Sequence, residues 1–511
     1  MRYLVPDLVY VAGRFESGLA VGIDESSGRI GWIGRAEEVA PGSADAAATG
    51  LPDPVAPASP GASTAGGEAT PFAAGVGDSR TGGEGAPVAG VVERLPGRAL
   101  LPGFVNAHSH AFQRVIRGRT QWRSATVPQA DFWSWREAMY AAALGMHPED
   151  VFLVSRFCFL EMLRAGITTV GEFHYLHRDV EGRRYLEPNE LAHRVLEAAA
   201  EVGIRIALLN VCYATGGIGR PLASEQRRFA TPELDVYLRD TAELQDRYRG
   251  DGLVTVGVAP HSVRAVPRDW LRELHDWAAS RGMVVHMHVS EQPREVEDCV
   301  AAYGLRPVEL LDAEGVLDER FTAVHATHLT QEEIALLGDA RATVCACPTT
   351  ERDLGDGFLP GAELLDADVR IALGTDSHTV IDFFEEMRLV EYHERLRRLR
   401  RVVLAVPGAG GRLEVAPLLL ELGTESGARS LGIDAGAIEP GRLADLIAVD
   451  LDHPAVVGWT PESLAAVLTL SAPPDVVADV WVGGVRRLEN RRHLLDAEAA
   501  VSFCEVASRV V

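Results

Sequence analysis

The 511-residue sequence contains no lysine, so all 49 of its basic residues are arginine. That absence removes Schiff-base catalysis, lysine-dependent phosphate loops and metal pairs bridged by a carbamylated lysine. Cysteine is scarce too. Six thiols (Cys158, Cys212, Cys299, Cys345, Cys347, Cys504) with no CxxC spacing argue for buried thiols in a reducing compartment, the cytoplasm, over a disulfide framework. No apolar run is long enough to span a bilayer, and the opening MRYLVPDLVYVAG lacks the basic start and cleavage site of a signal peptide, so a soluble protein is expected. Positive charge is outweighed by acid, giving a net charge of -24. Nucleic acid and anionic membranes would be repelled, and neither is expected as a partner.

What is present has the size of one large domain with a smaller satellite. Residues 41–90 form a Pro/Gly/Ala/Ser-rich stretch with little to bury, read as a flexible insertion. Short strand-like segments flank it, and similar ones return in GRLADLIAVDLDHP and VADVWVGGVRRLEN. A small β-sandwich domain assembled from both termini (1–99 and 436–511, the latter with a tail) therefore brackets a central domain at 100–435. In that domain eight apolar, β-branched runs alternate with helical stretches: RALLPGFVNA, GITTVGEF, IRIALLNVCY, LVTVGVAP, MVVHMHV, FTAVHAT, ATVCACP and VRIALGT. Eight βα units predict a (β/α)₈ barrel, whose strand C-termini gather chemically active residues at one mouth.

Most of these runs end in such residues. His108 and His110 in PGFVNAHSHAFQR lie two apart, so both rings point to one side of a strand and reach a common ion. A lone HxH is weak evidence. His288 at the end of the fifth run and Asp376 in IALGTDSH complete a set of three nitrogens and one carboxylate, suited to one divalent ion in an open site. The competing structural readings are a hydrogen-bonded core histidine and a helix cap before SHTVIDFFEEM. An ion-activated water needs proton carriers, and Glu291 in HVSE and His325 on the sixth strand are candidates beside Asp376. CAC at 345–347 reads as barrel filling and ERLRRLRR at 394–401 as a solvated helix face.

Together PGFVNAHSHAFQR, HVSE, VHATH and GTDSH resemble the amidohydrolase superfamily, in its branch of single-metal aminohydrolases. Within it DFWSWREAMY, GEFHYLH, APHSVRAV, HVSEQPREVEDC and CPTTERDLGDG resemble the deiminases of N-formimino-L-glutamate in histidine degradation. The resemblance implies zinc on His108, His110, His288 and Asp376, with Glu291, His325 and Asp376 moving protons, in a homodimer. It also implies release of ammonia from the formimino carbon, leaving N-formyl-L-glutamate. Ligand type alone leaves iron and manganese open. A substrate with two carboxylates needs local arginine in so acidic a protein, and Arg136 and Arg264 stand in the matching segments. Gln113, Tyr175 and His261 add hydrogen bonds. Two rival readings remain at this stage: an aminohydrolase acting on an amino-heterocycle such as guanine, and a non-catalytic binding protein on the same barrel.

Overall fold

The computed structural model describes residues 1–41, 88–123, 131–408 and 411–510. The expected insertion lies, from 42 to 87, outside them. Eight parallel strands form the centre, hydrogen-bonded in chain order: β1 (Phe104–Ser109), β2 (Ile167–His174), β3 (Arg205–Cys212), β4 (Val254–Pro260), β5 (Val285–Val289), β6 (Phe321–His325), β7 (Thr343–Ala346) and β8 (Arg370–Leu373). Helices follow each strand and cover the outside, so both faces of a strand are buried. Every residue of β1, β2 and β3 is buried accordingly, which is why these segments read as continuous apolar runs and not as alternating ones.

The cylinder closes between β1 and the residues just beyond β8. His110 N–H donates to the Asp376 carbonyl at 3.0 Å, and Asp376 N–H donates to the His108 carbonyl at 3.1 Å. Gly374 allows that approach, since a Cβ there would lie 2.8 Å from the Cβ of His108. Inside, Ala107, Val324, Cys345, Cys347 and Ala372 pack together, so the CAC cysteines fill the barrel. The arginine-rich run begins in the helix Phe383–Arg398, where Arg395, Arg397 and Arg398 pair with Glu391, Glu394 and Glu363, and its last three residues lie beyond the helix end. The cap of that helix is Asp382, whose side chain accepts from Glu385 N–H at 3.1 Å. Asp376 is thereby left to face the barrel.

Strands from both chain ends build one mixed nine-stranded sheet. Its long strand Val88–Pro102 pairs parallel with Arg2–Val11 and antiparallel with Leu446–Asp450. The sheet closes on its own apolar cluster, including Leu4, Ile23, Leu100, Leu446 and Trp481. The run RALLPGFVNA, one strand in the sequence, holds two: the sheet strand ends at Pro102 and β1 begins at Phe104. Gly103 between them abuts Thr168, whose Oγ1 would sit 2.2 Å from a Cβ at that position. The segment expected as a C-terminal tail is the helix Asp496–Val510, whose Phe503 stacks on Phe157 at 4.3 Å.

One ion pair ties the sheet to the barrel. Arg205 at the start of β3 donates from Nε and Nη2 to the two oxygens of Asp445, at 2.7 and 2.9 Å, and Gly483 N–H adds a third bond at 2.6 Å. Both side chains are almost wholly buried. Asp445→Ala strands the guanidinium without water, so we expect a loss of about 3–5 kcal/mol, read as a fall in the urea midpoint. Adding Arg205→Met should recover part of that loss, because the orphaned charge goes with it. An unmoved midpoint in the single variant would remove the pair from the account of stability.

Candidate active site

The ends of β1, β5 and β8 bring His108, His110, His288 and Asp376 into one buried cluster, with one donor atom from each within 4.8 Å of the others. His108 Nε2 lies 3.2 Å from His288 Nε2, and Asp376 Oδ1 lies 3.4 and 3.3 Å from Nε2 of His108 and His110. Ligands bound at about 2.0–2.1 Å around one tetrahedral ion are separated by roughly 3.3 Å, so the spacing fits a metal. The tautomers fit as well. His110 Nδ1 faces the Phe173 carbonyl at 2.9 Å and His288 Nδ1 the His261 carbonyl at 3.0 Å. A carbonyl only accepts, so each Nδ1 carries the proton and each Nε2 keeps its lone pair for an ion.

Electrostatics prepare the same state. Burial, reinforced by His108, holds His110 down at about 3, and burial with the neighbouring histidines holds His288 well below its ordinary range. Burial works against the charge of Asp376, but the hydrogen bond and charge of His108, with His110 and His325, overcome it and keep the carboxyl below the usual range. Neutral imidazoles and an ionised carboxylate are the forms that ligate.

A second layer holds these ligands in place. Ser109 Oγ donates to Glu172 Oε2 at 2.5 Å and contacts His378 Nε2 at 3.0 Å; His378 Nδ1 meets Thr375 Oγ1 at 3.0 Å. Asn106 exchanges two hydrogen bonds with Thr375, at 2.7 and 3.0 Å. The chain of bonds runs from β1 to β2 and β8, the strands that carry or flank three of the four donors. Burial raises Glu172 to about 8, against its bonds from Ser109 and Ala111.

Beside the cluster stand the expected proton carriers. Glu291 is buried, not a solvated loop carboxylate, and its Oε1 is 3.7 Å from His325 Nε2. The same nitrogen lies 3.8 Å from Asp376 Oδ2. Burial opposes charge on His325, yet Glu291, Glu351 and Asp376 outweigh it and raise the group well above its ordinary value. Rim residues Ser290, His325, Ala326 and Asp376 all have positive φ, between 46° and 70°. Such strain in non-glycine residues gathers at functional sites.

Above the cluster opens a cavity of about 370 Å³. His110, His288, Asp376, Glu291 and His325 line it, as do all five residues expected to bind substrate. Gln113 Nε2 donates to Tyr175 Oη at 2.7 Å, and the His261 ring lies edge-on to Tyr213 at 4.6 Å. Arg264 contacts Glu291 at 3.3 Å and Glu295 at 3.6 Å. Arg136 lies over the Trp133 ring at 4.5 Å and forms no salt bridge among the described residues. His108 lies beneath the cavity floor, fully buried. Sequence reasoning missed several wall residues: Trp133, Tyr140, Arg220 and Arg294, the last lying 4.9 Å from the Trp133 ring. The clustering of aromatics in DFWSWREAMY hinted at Trp133 and Tyr140, and no sequence signal marked Arg220 or Arg294.

A (β/α)₈ barrel whose rim gathers three imidazoles and a carboxylate, with further acid–base groups alongside, defines the metal-dependent hydrolases. The chain belongs to the amidohydrolase family, whose sequence model matches residues 99–487. It is similar to the formimidoylglutamate deiminase of Pseudomonas aeruginosa, with 35% identity over 420 residues that cover 82% of this chain and 91% of that one. It is also similar to the 5-methylthioadenosine/S-adenosylhomocysteine deaminase of Pelotomaculum thermopropionicum, 31% identical over 79% of this chain and 83% of the relative. The crystal structure of an amidohydrolase from Brucella melitensis superimposes with a TM-score of 0.82 at 30% identity, over the full length of both chains. Among the described residues no helix is long and apolar enough to cross a membrane.

Proposed function

We propose that the protein hydrolyses N-formimino-L-glutamate to N-formyl-L-glutamate and ammonia. The observation that carries the choice of substrate is Arg136: on the wall of a cavity in a strongly acidic protein, it is a cation with no carboxylate at salt-bridge distance among the described residues, Glu225 reaching it only through its charge. Arg264, shared with Glu291 and Glu295, sits on the same wall system. A dianionic substrate supplies Arg136 with a direct ion pair, whereas a neutral heterocycle leaves it without one. The similarity to formimidoylglutamate deiminase supports the same choice.

His108, His110, His288 and Asp376 would hold a divalent ion, zinc in this reading, and its chemistry would be to lower the pKa of a water toward neutrality. The chain's own groups do the rest. Arg136 and Arg264 hold the two carboxylates, and Tyr175 and Gln113 direct the substrate's polar backbone. Asp376 Oδ2 receives the proton released as water oxygen bonds to the formimino carbon, while His325, held in its charged form by its acidic neighbours, donates from Nε2 to that oxygen. Glu291 Oε1, next to His325 Nε2, passes a proton to the formimino nitrogen. Asp376 then passes the water-derived proton to the amino nitrogen of the tetrahedral adduct while Glu291 takes up the hydroxyl proton, so the carbon–nitrogen bond breaks, ammonia departs, the formyl group stays on glutamate and both carboxyl groups regain their starting forms.

Steady-state ammonia release from metal-analysed protein tests the reading. We expect kcat/KM for N-formimino-L-glutamate to exceed that for guanine, cytosine or 5-methylthioadenosine by about 10³ or more, the scale on which a site built for polar groups rejects ligands lacking them. Faster release from a heterocycle would transfer the assignment to the aromatic walls, Trp133 and Tyr140. Activity confined to N-formyl amides would move it to another bond.

A further inference from the structure

We infer that Glu351 is the residue that positions His325, holding its ring so that Nε2 faces the reacting atoms. The inference rests on the catalytic reading of His325 given above. Glu351 belongs to the short helix Pro348–Leu354 that follows β7, so it reaches the site from a strand that supplies neither metal donors nor proton carriers. Its Oε1 lies 3.4 Å from His325 Nδ1 and also accepts the Cys347 N–H at 2.8 Å. A carboxylate only accepts, so Nδ1 carries a proton and Nε2 is the atom that exchanges one. On that far side of the ring stand Glu291 Oε1 at 3.7 Å and Asp376 Oδ2 at 3.8 Å.

Two further observations point to positioning. Both side chains are 1% exposed, and His325 is the salt-bridge partner of Glu351 among the described residues. A carboxylate removed from water needs such a partner, and this one has a histidine where an arginine would be usual. The backbone also pays for the placement of the ring: His325 and Ala326 have φ of 70° and 51°, conformations that persist only where surrounding contacts fix them.

The alternative is that Glu351 only satisfies the Cys347 N–H. Glu351→Gln retains an oxygen for both Cys347 and His325, whereas Glu351→Leu removes it. For metal-loaded protein we expect Glu351→Leu to lower kcat by about 10²-fold or more, the scale of a displaced acid–base group, with KM and metal content within threefold of the parent. Glu351→Gln should regain at least tenfold of that loss. In a His325→Ala background, Glu351→Leu should change kcat by less than threefold, because a positioning role has nothing left to act on. Independently of turnover, ¹⁵N-histidine spectra should show His325 protonated at Nδ1 in the parent and in Glu351→Gln, and altered in Glu351→Leu.

Parental kcat in Glu351→Leu would overturn the inference. So would equal losses in the leucine and glutamine variants that persist without His325, or an unchanged His325 signature. If the parent releases no ammonia from N-formimino-L-glutamate while the ¹⁵N signature still follows Glu351, the substrate reading fails and the pairing stands.

Discussion

His288→Ala protein, purified and loaded in parallel with the parent, is expected to release ammonia at least about 10³-fold more slowly and to retain well under one equivalent of metal after dialysis. The reason is geometric. His288 comes from β5, across the barrel from the β1 pair, and its Nε2 lies 3.2 Å from that of His108. Its orientation is fixed by the His261 carbonyl, and no other described side chain offers a nitrogen from that wall to the same cluster. Elemental analysis with a thermal melt separates loss of the ion from loss of the fold. A variant that keeps both its metal and its turnover would place the chemistry elsewhere.

Glu291→Gln should produce the second largest effect, a fall in kcat of about 10²–10⁴-fold with KM changed far less and metal content unaltered. The substitution keeps size and shape while removing the proton-carrying oxygen beside His325. Arg264 keeps Glu295 as a partner at 3.6 Å, so the arginine stays in place. Separate measurement of kcat and KM decides the role. Were KM to rise while kcat held, Glu291 would serve to hold Arg264 for the substrate, and proton transfer would fall to His325 and Asp376 alone.

The barrel and the donor set were legible in the sequence for a common reason. Strands covered on both faces must be apolar throughout, so each ended visibly where a polar residue appeared, and the fold sends all those ends to one rim. His108, His110, His288 and Asp376 could thus be gathered from positions far apart in the chain. What pattern could not supply were contacts made across the barrel. Glu351 beneath His325 and the Ser109–His378–Thr375 chain depend on neighbours unrelated by period or spacing. The division of RALLPGFVNA at Gly103 was hidden for a similar reason: both halves are apolar, and only the pairing of Val88–Pro102 with strands from the two chain ends separates them. The helix beginning at Phe383 illustrates the converse case, since Asp376 and Asp382 both suit a cap and packing alone assigns that task to Asp382.

The hydrogen bonds that shut the cylinder join His108 and His110 to Asp376, and the proposed ion site uses the same three residues. On that proposal, seating the ion and locking the last stave are one thermodynamic event. An ion at a hundred times its dissociation constant contributes about 2.7 kcal/mol to the folded state, and it does so at the joint where first and eighth strands meet, acting as a rivet. Without that ion, the seam between the first and eighth strands would keep its backbone bonds at the Ser109–Asp376 bridge and lose the rivet.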